Sequence, residues 1–226
     1  RLNTGVAGLL KRNHVNILRG HGVMLDGKTC RVETDTGPET IRAEHVILAT
    51  GSVPTPLPSL PFGSNVISST EALSLAKVPE TLAVVGAGYI GLELGTAFAK
   101  LGAKVTVVEA TDRILPLYDA ELTRPVARHL ATLGVEVLTK AKAVGKSKKG
   151  DALVVEVGGG KREIYAQTIL VAVGRKPLTE GWGLEQIDLT MSGPFIAIDE
   201  RCATSMRNVW AIGDVTGEPM LAHRAM

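Results

Sequence analysis

The 226-residue sequence is short of cysteine, aromatic residues and net charge, and each shortage removes a class of protein. Its two cysteines, Cys30 and Cys202, lie far apart and form neither a CxxC nor a CxxxxC pair, so this chain offers no disulfide framework and no dithiol centre of its own. They read as two reduced thiols of a cytoplasmic protein. Five scattered histidines show no metal-ligand spacing. With 25 Lys and Arg against 23 Asp and Glu the formal charge is only +2, and the basic residues form no stripe, so no nucleic-acid partner is expected. No apolar run reaches the roughly 20 residues of a membrane helix. The longest, from Leu82 to Leu92, is broken by Gly86, Gly88 and Gly91, so no membrane association is expected either. Residues 1–11 have neither the layout of a signal peptide nor an initiator Met, which leads us to expect an internal piece of a longer protein.

What the chain does have is aliphatic: 45% of its residues are hydrophobic but only 4% aromatic, enough for one substantial core or two modest ones. Continuous Val/Ile/Leu runs at 81–86, 104–109, 135–138, 153–157 and 168–173 suit strands buried on both faces, the habit of parallel sheets covered by helices. Further strand-like runs fall at 31–34, 45–50, 195–198 and 209–212. Helical periodicity follows Gly88 as far as Leu101 and returns from about Asp119 to Leu133. Within the second helix, Pro125 leaves two options: a late start capped by Thr123, or a kink. Pro54, Pro56, Pro58 and Pro61 mark an extended connector, taken as the first domain boundary. Residues 68–175 then read as a βαβ nucleotide-binding half with a β-meander before its last strand. The flanks, 1–67 and 176–226, have too few strands to close a sheet separately and are expected to combine as one discontinuous domain.

The chemistry concentrates where the run from Thr81 enters GxGxxGxxxG at 86–95. Gly86 permits the tight turn, Gly88 lets the backbone approach a pyrophosphate, and Gly91 lets the helix pack close on the strand. The helix start presents free N–H groups to phosphates. A lone GxGxxG is weak, but here a second strand follows and ends in Glu109, where a carboxylate can accept from an adenine ribose and repel a 2′-phosphate. NAD is therefore expected over NADP. The bland alternative is a tight strand–helix turn with Glu109 as a solvated strand end. FAD is the stronger rival, because flavoproteins use the same fingerprint and spacing alone does not separate the two.

Five motifs in order resemble the flavin-dependent pyridine nucleotide–disulfide oxidoreductase family, especially its dihydrolipoamide dehydrogenase branch. They are ILATGSVP at 47–54, GAGYIGLELG at 86–95, VVEATDRIL at 107–115, VAVGRKP at 171–177, and VWAIGDV at 209–215 with MLAHRA at 220–225. The resemblance implies an α/β fold: a Rossmann-like parallel-sheet NAD-binding domain with a β-meander at 68–175, and an incomplete FAD-binding domain at 1–67 and 176–226. It also resolves the rivalry, since in this family the internal fingerprint serves NAD(P). It places Gly86, Ala87, Gly88, Tyr89, Ile90, Gly91, Leu92 and Glu109 at NAD, with Gly174 near the nicotinamide and Ala143 near the adenine. Tyr89 matches an aromatic gate of some relatives, its plain alternative being a surface aromatic. Glu93 resembles a carboxylate that pairs with a lysine near the flavin, and no such lysine lies in this sequence. Thr50, Gly51 and Ser52 resemble the crossover beside FAD, Asp214 the carboxylate that receives the ribityl hydroxyls, Met220, Leu221, Ala222 and His223 the turn beside the flavin ring, and Gly22 a contact to its adenine end. On the residues alone, Asp214 could instead cap the next turn.

The same resemblance implies dihydrolipoamide, carried on a lipoyl domain of a 2-oxo acid dehydrogenase complex, as the partner of a homodimeric parent enzyme. It implies no catalytic residue in this chain, because Cys30 and Cys202 match neither the family's redox pair nor its base. The alternatives are another disulfide reductase or NADH oxidase of the same superfamily, or a non-catalytic nucleotide-binding module.

Overall fold

The computed structural model describes residues 2–225 and divides into two compact units, Arg1–Val53 with Pro177–Met226, and Pro54–Lys176. The chain leaves the first unit within Ser52–Pro54 and returns within Arg175–Pro177.

The second unit is built on five parallel strands in the order Val66–Ile67, Thr168–Val171, Thr81–Val85, Lys104–Val108 and Glu136–Leu138. Side chains alternate across a strand, so each buried run serves two cores. Leu82, Val84, Val105 and Val107 pack with Leu92 and Phe98 of helix Tyr89–Lys100 and with Leu130 of helix Ala120–Thr132. Ala83, Val85 and Val108 face the opposite way and pack with Leu153, Val155 and Ile164 of an antiparallel meander, Lys142–Lys146, Ala152–Val157 and Gly160–Tyr165. A sheet coated on both faces has no polar side, which is why its strands read as unbroken aliphatic runs.

Three details of this unit differ from the sequence-based expectations. Residues 54–67 pack with the second unit, not the first: Leu60 and Val66 are buried in its meander-side core, and Val66–Ile67 pairs with Ile169 and Leu170 as an edge strand. Prolines mark an extended segment without saying where it packs. The helix containing Pro125 starts early, capped by Asp119, whose carboxylate accepts from the Glu121 N–H at 2.9 Å, so Thr123 lies within the helix. Pro125 and Glu121 lie on the exposed face of the helix, and Pro125 has no N–H to return to the Glu121 carbonyl. The meander also begins with a strand, Lys142–Lys146, that none of the strand-like runs of the sequence announces, because it is too polar.

The first unit is assembled from smaller pieces. A three-stranded antiparallel sheet, His21–Met24, Thr29–Thr34 and Gly37–Arg42, stands beside a two-stranded parallel pair, Val46–Leu48 with Val209–Ala211. Met24, Leu48, Trp182, Ile187, Leu189, Ile196, Val209, Ala211 and Val215 form its core. Helix Leu2–Arg12 leaves Val6 and Leu9 exposed. No helix among the described residues is long and apolar enough to cross a membrane.

Candidate functional site

In the second unit the candidate residues gather at the C-terminal ends of the parallel strands, where open α/β sheets bind their ligands. Gly86 follows Val85 with φ +102, and a Cβ there would stand 2.5 Å from the carbonyl oxygen of Ala172 on the adjoining strand's exit. Only glycine fits. Gly88 then caps helix Tyr89–Lys100 without a side-chain bond, and a Cβ at Gly88 would meet nothing within 4 Å. The space over this helix start is open, and the first-turn N–H groups of a helix have no partner within it, which suits an anion. Gly91 is buried for a different reason: its Cβ would fall 2.1 Å from the carbonyl oxygen of Gly86, so the helix can approach the turn only if residue 91 has no side chain. Leu92 points into the helix-side core, Tyr89 and Ile90 are half-buried, and Glu93 is exposed.

Glu109 is not a solvated strand end. It is 8% exposed, and its carboxylate is tied into the glycine turn. Oε2 accepts from the Ala87 N–H at 2.7 Å, while Oε1 accepts from both the N–H and the hydroxyl of Thr111, at 2.8 and 2.9 Å. The carboxylate thus bridges two loops at neighbouring strand ends. The Ala141 N–H donates to the Glu109 carbonyl at 2.9 Å, which brings the segment leading to half-buried Ala143 alongside. Gly174 lies exposed at φ +143, its carbonyl accepting from the Thr55 N–H at 3.0 Å, with nothing near the position of a Cβ. Thr111 is a member of this site that the sequence-based reading did not single out. The available signal was its place two residues after Glu109, within hydroxyl reach of a strand-end carboxylate.

In the first unit the candidates again meet at strand ends. The Thr50 hydroxyl donates to the Leu178 carbonyl at 2.8 Å, and the Leu178 N–H returns a bond of 2.9 Å to Gly51, which sits at φ +73. Next to them Ser52 donates its hydroxyl to Asp214 Oδ2 at 2.5 Å. Asp214 stands in the turn Gly213–Thr216 that follows strand Val209–Ala211. The Asp214 carboxylate is therefore tied to Ser52, on the connection that follows the paired strand Val46–Leu48. Met220 is half-buried, Leu221, Ala222 and His223 are exposed, and the last two open the short turn Ala222–Ala225. Gly22 is elsewhere in the unit, on strand His21–Met24 opposite Val32, and a Cβ there would come 3.2 Å from Cys30 Sγ. Both cysteines are free thiols, and no group of His, Cys, Asp and Glu among the described residues could hold a metal ion.

Comparison with known proteins gives this geometry a context. The family described as pyridine nucleotide-disulphide oxidoreductase matches residues 1–226. The dihydrolipoyl dehydrogenase of Pseudomonas aeruginosa is 55% identical over the whole chain, which covers 49% of that protein. That of Geobacillus stearothermophilus is 42% identical, with 48% covered. Among solved structures, the HOCl-induced flavoprotein disulfide reductase RclA of Escherichia coli superposes on 99% of the chain with a TM-score of 0.84 at 27% identity. LpdA of Mycobacterium tuberculosis superposes on 98%, with a TM-score of 0.84 at 28% identity. The chain covers 51% and 50% of those two structures, and so spans about half the length of the relatives it matches.

Proposed function

Because this chain belongs to the pyridine nucleotide-disulphide oxidoreductase family, we propose that it is the nucleotide-handling part of a dihydrolipoyl dehydrogenase, which reoxidises dihydrolipoamide with NAD through FAD. The observation that carries the assignment of NAD to the second unit is the buried carboxylate of Glu109 beside the open helix start at Gly88. A pyrophosphate fits over Gly88 and the first turn of helix Tyr89–Lys100, and a ribose hydroxyl fits the remaining acceptor of Glu109. Gly174 and Ala143 would line the nicotinamide and adenine ends.

FAD belongs with the first unit in this reading. Asp214, oriented by Ser52, would accept the ribityl hydroxyls, Thr50 and Gly51 would shape the neighbouring backbone, Met220 to His223 would border the ring, and Gly22 would touch the adenine end. When bound, the two cofactors supply the hydride and electron transfer, and the protein orients them. The chain's own residues hold and exclude: Glu109 repels a 2′-phosphate, and Gly86 and Gly91 keep the pyrophosphate turn tight. Neither Cys30 nor Cys202 takes part in the dithiol step, which falls to residues outside this sequence. The substrate would be a lipoyl domain of a 2-oxo acid dehydrogenase complex, met by a homodimer in the cytoplasm.

The test is lipoamide-dependent NADH oxidation by a protein that joins this chain to the other half of its relatives' length. Turnover with lipoamide, and none by the 226-residue chain supplied with FAD, is the expected pair of results. Turnover with glutathione disulfide or oxygen but not lipoamide would overturn the substrate assignment.

A further inference from the structure

The hydrogen-bond arithmetic at Glu109 leaves too few acceptors for a ribose diol. An ionised carboxylate offers about four acceptor positions. Among the described residues, three of these are already used: one on Oε2 by the Ala87 N–H, and two on Oε1 by the N–H and hydroxyl of Thr111. One acceptor remains, on Oε2. A cis-diol presenting two O–H donors needs two.

The Thr111 hydroxyl can supply the second by moving its proton. It has one proton but two acceptors at equal distance, Glu109 Oε1 and the carbonyl oxygen of Arg113, each at 2.9 Å. With the site open, the bond to the carboxylate is favoured, because a hydrogen bond to an ionised acceptor is the stronger of the two. Turning the O–H to the Arg113 carbonyl needs rotation about one bond and no movement of heavy atoms. Glu109 does not depend on this hydroxyl for its position, since the Ala87 and Thr111 N–H groups hold one oxygen each.

We propose that Thr111 is a specificity-determining residue that covers one acceptor of Glu109 and must release it before the second ribose hydroxyl can bind. This rests on the assignment of an adenine ribose to Glu109 and adds to it a competitor inside the protein. The hydroxyl lowers affinity for a 2′,3′-diol, because binding exchanges a charge-assisted bond of Thr111 for a neutral one. It has no such effect on a nucleotide whose 2′-oxygen carries phosphate, which brings a single donor for the acceptor already available on Oε2.

The experiment is titration of the 226-residue chain with NADH and with NADPH, in the unaltered protein and in Thr111→Val, Thr111→Ala and Thr111→Ser, with thermal unfolding of each. Valine and alanine at 111 should bind NADH about fivefold more tightly, the size expected when a charge-assisted bond no longer has to be exchanged for a neutral one, with NADPH unchanged. Serine, which keeps the hydroxyl, should match the unaltered protein. Unchanged or weaker NADH binding in the valine and alanine variants, with their cooperative unfolding intact, would overturn the proposal. Loss of cooperative unfolding in both would also overturn it, by making the hydroxyl a structural tie. An unaltered chain that binds NADPH as well as NADH would instead remove the ribose assignment itself, a separate result from a chain that prefers NADH and ignores Thr111.

Discussion

Both units place a carboxylate at the end of a parallel strand and hold it with a donor from a neighbouring strand's exit, yet they do so with unequal support. In the second unit Glu109 is buried, accepts three bonds, two of them from backbone N–H groups, and stands on a five-stranded sheet packed on both faces. In the first unit Asp214 is half-buried, is oriented by the Ser52 hydroxyl, and stands on a parallel pair of two strands. Backbone donors on a rigid sheet fix a carboxylate before any ligand arrives. A hydroxyl on a rotatable side chain leaves part of that ordering to the ligand, at a cost in affinity. Preorganisation therefore separates the two units more than residue type does.

The sharpest way to break this comparison is to attack the close approach that makes the second unit rigid. Gly91→Ala puts a methyl group 2.1 Å from the Gly86 carbonyl, a backbone atom that cannot yield without dismantling the turn. It should cost about 3 kcal/mol or more of stability, with loss of NADH binding. Four residues on, a Cβ at Gly95 would lie 3.6 Å from Val84 and Val105, in ordinary contact. Gly95→Ala should be neutral or gain up to about 1 kcal/mol, since alanine is the better helix former. Urea unfolding of the two variants makes the check, and equal stabilities would mean that the tight strand–helix packing does not set the rigidity.

That contrast shows where the sequence was legible. Four of the five parallel strands of the second unit and its two long helices could be read directly, because burial on two faces writes itself as aliphatic runs and a glycine turn announces the helix that follows. GxGxxGxxxG did not reveal that its last glycine is tolerant while Gly91 is obligatory, which depends on the distance to a carbonyl outside the helix. Glu109 could be located but not its bonding, because the Thr111 and Ala87 donors come from loops whose geometry only the fold sets. The packing of 54–67 on the second unit was hidden for a similar reason: Leu60 looks like an ordinary connector residue until Val66–Ile67 pairs with the sheet.

A smaller effect tests the same unit at its edge. Ser68 caps the short helix Ser69–Ala72, accepting from the Thr70 N–H at 3.1 Å, while the Glu71 carboxylate accepts from the Ser68 N–H at 2.8 Å. The side-chain and backbone bonds with Ser68 hold the Glu71 carboxyl below its ordinary pKa of 4.5. A depressed folded-state pKa contributes stability that is complete above 4.5 and is lost as pH falls from there through the lowered folded value. Ser68→Ala should cost about 1 kcal/mol at neutral pH, a gap that narrows on acidification through that window. A gap that stays constant with pH would show that the carboxylate does not take part in the cap.

The most direct measurement of the difference between the units is gel filtration of the 226-residue chain equilibrated with equal, saturating NADH and FAD, with both nucleotides quantified in the protein peak. Near-stoichiometric NADH with little FAD is the result expected from a preorganised second unit and a less ordered first one. Stoichiometric FAD with little or no NADH would contradict the account.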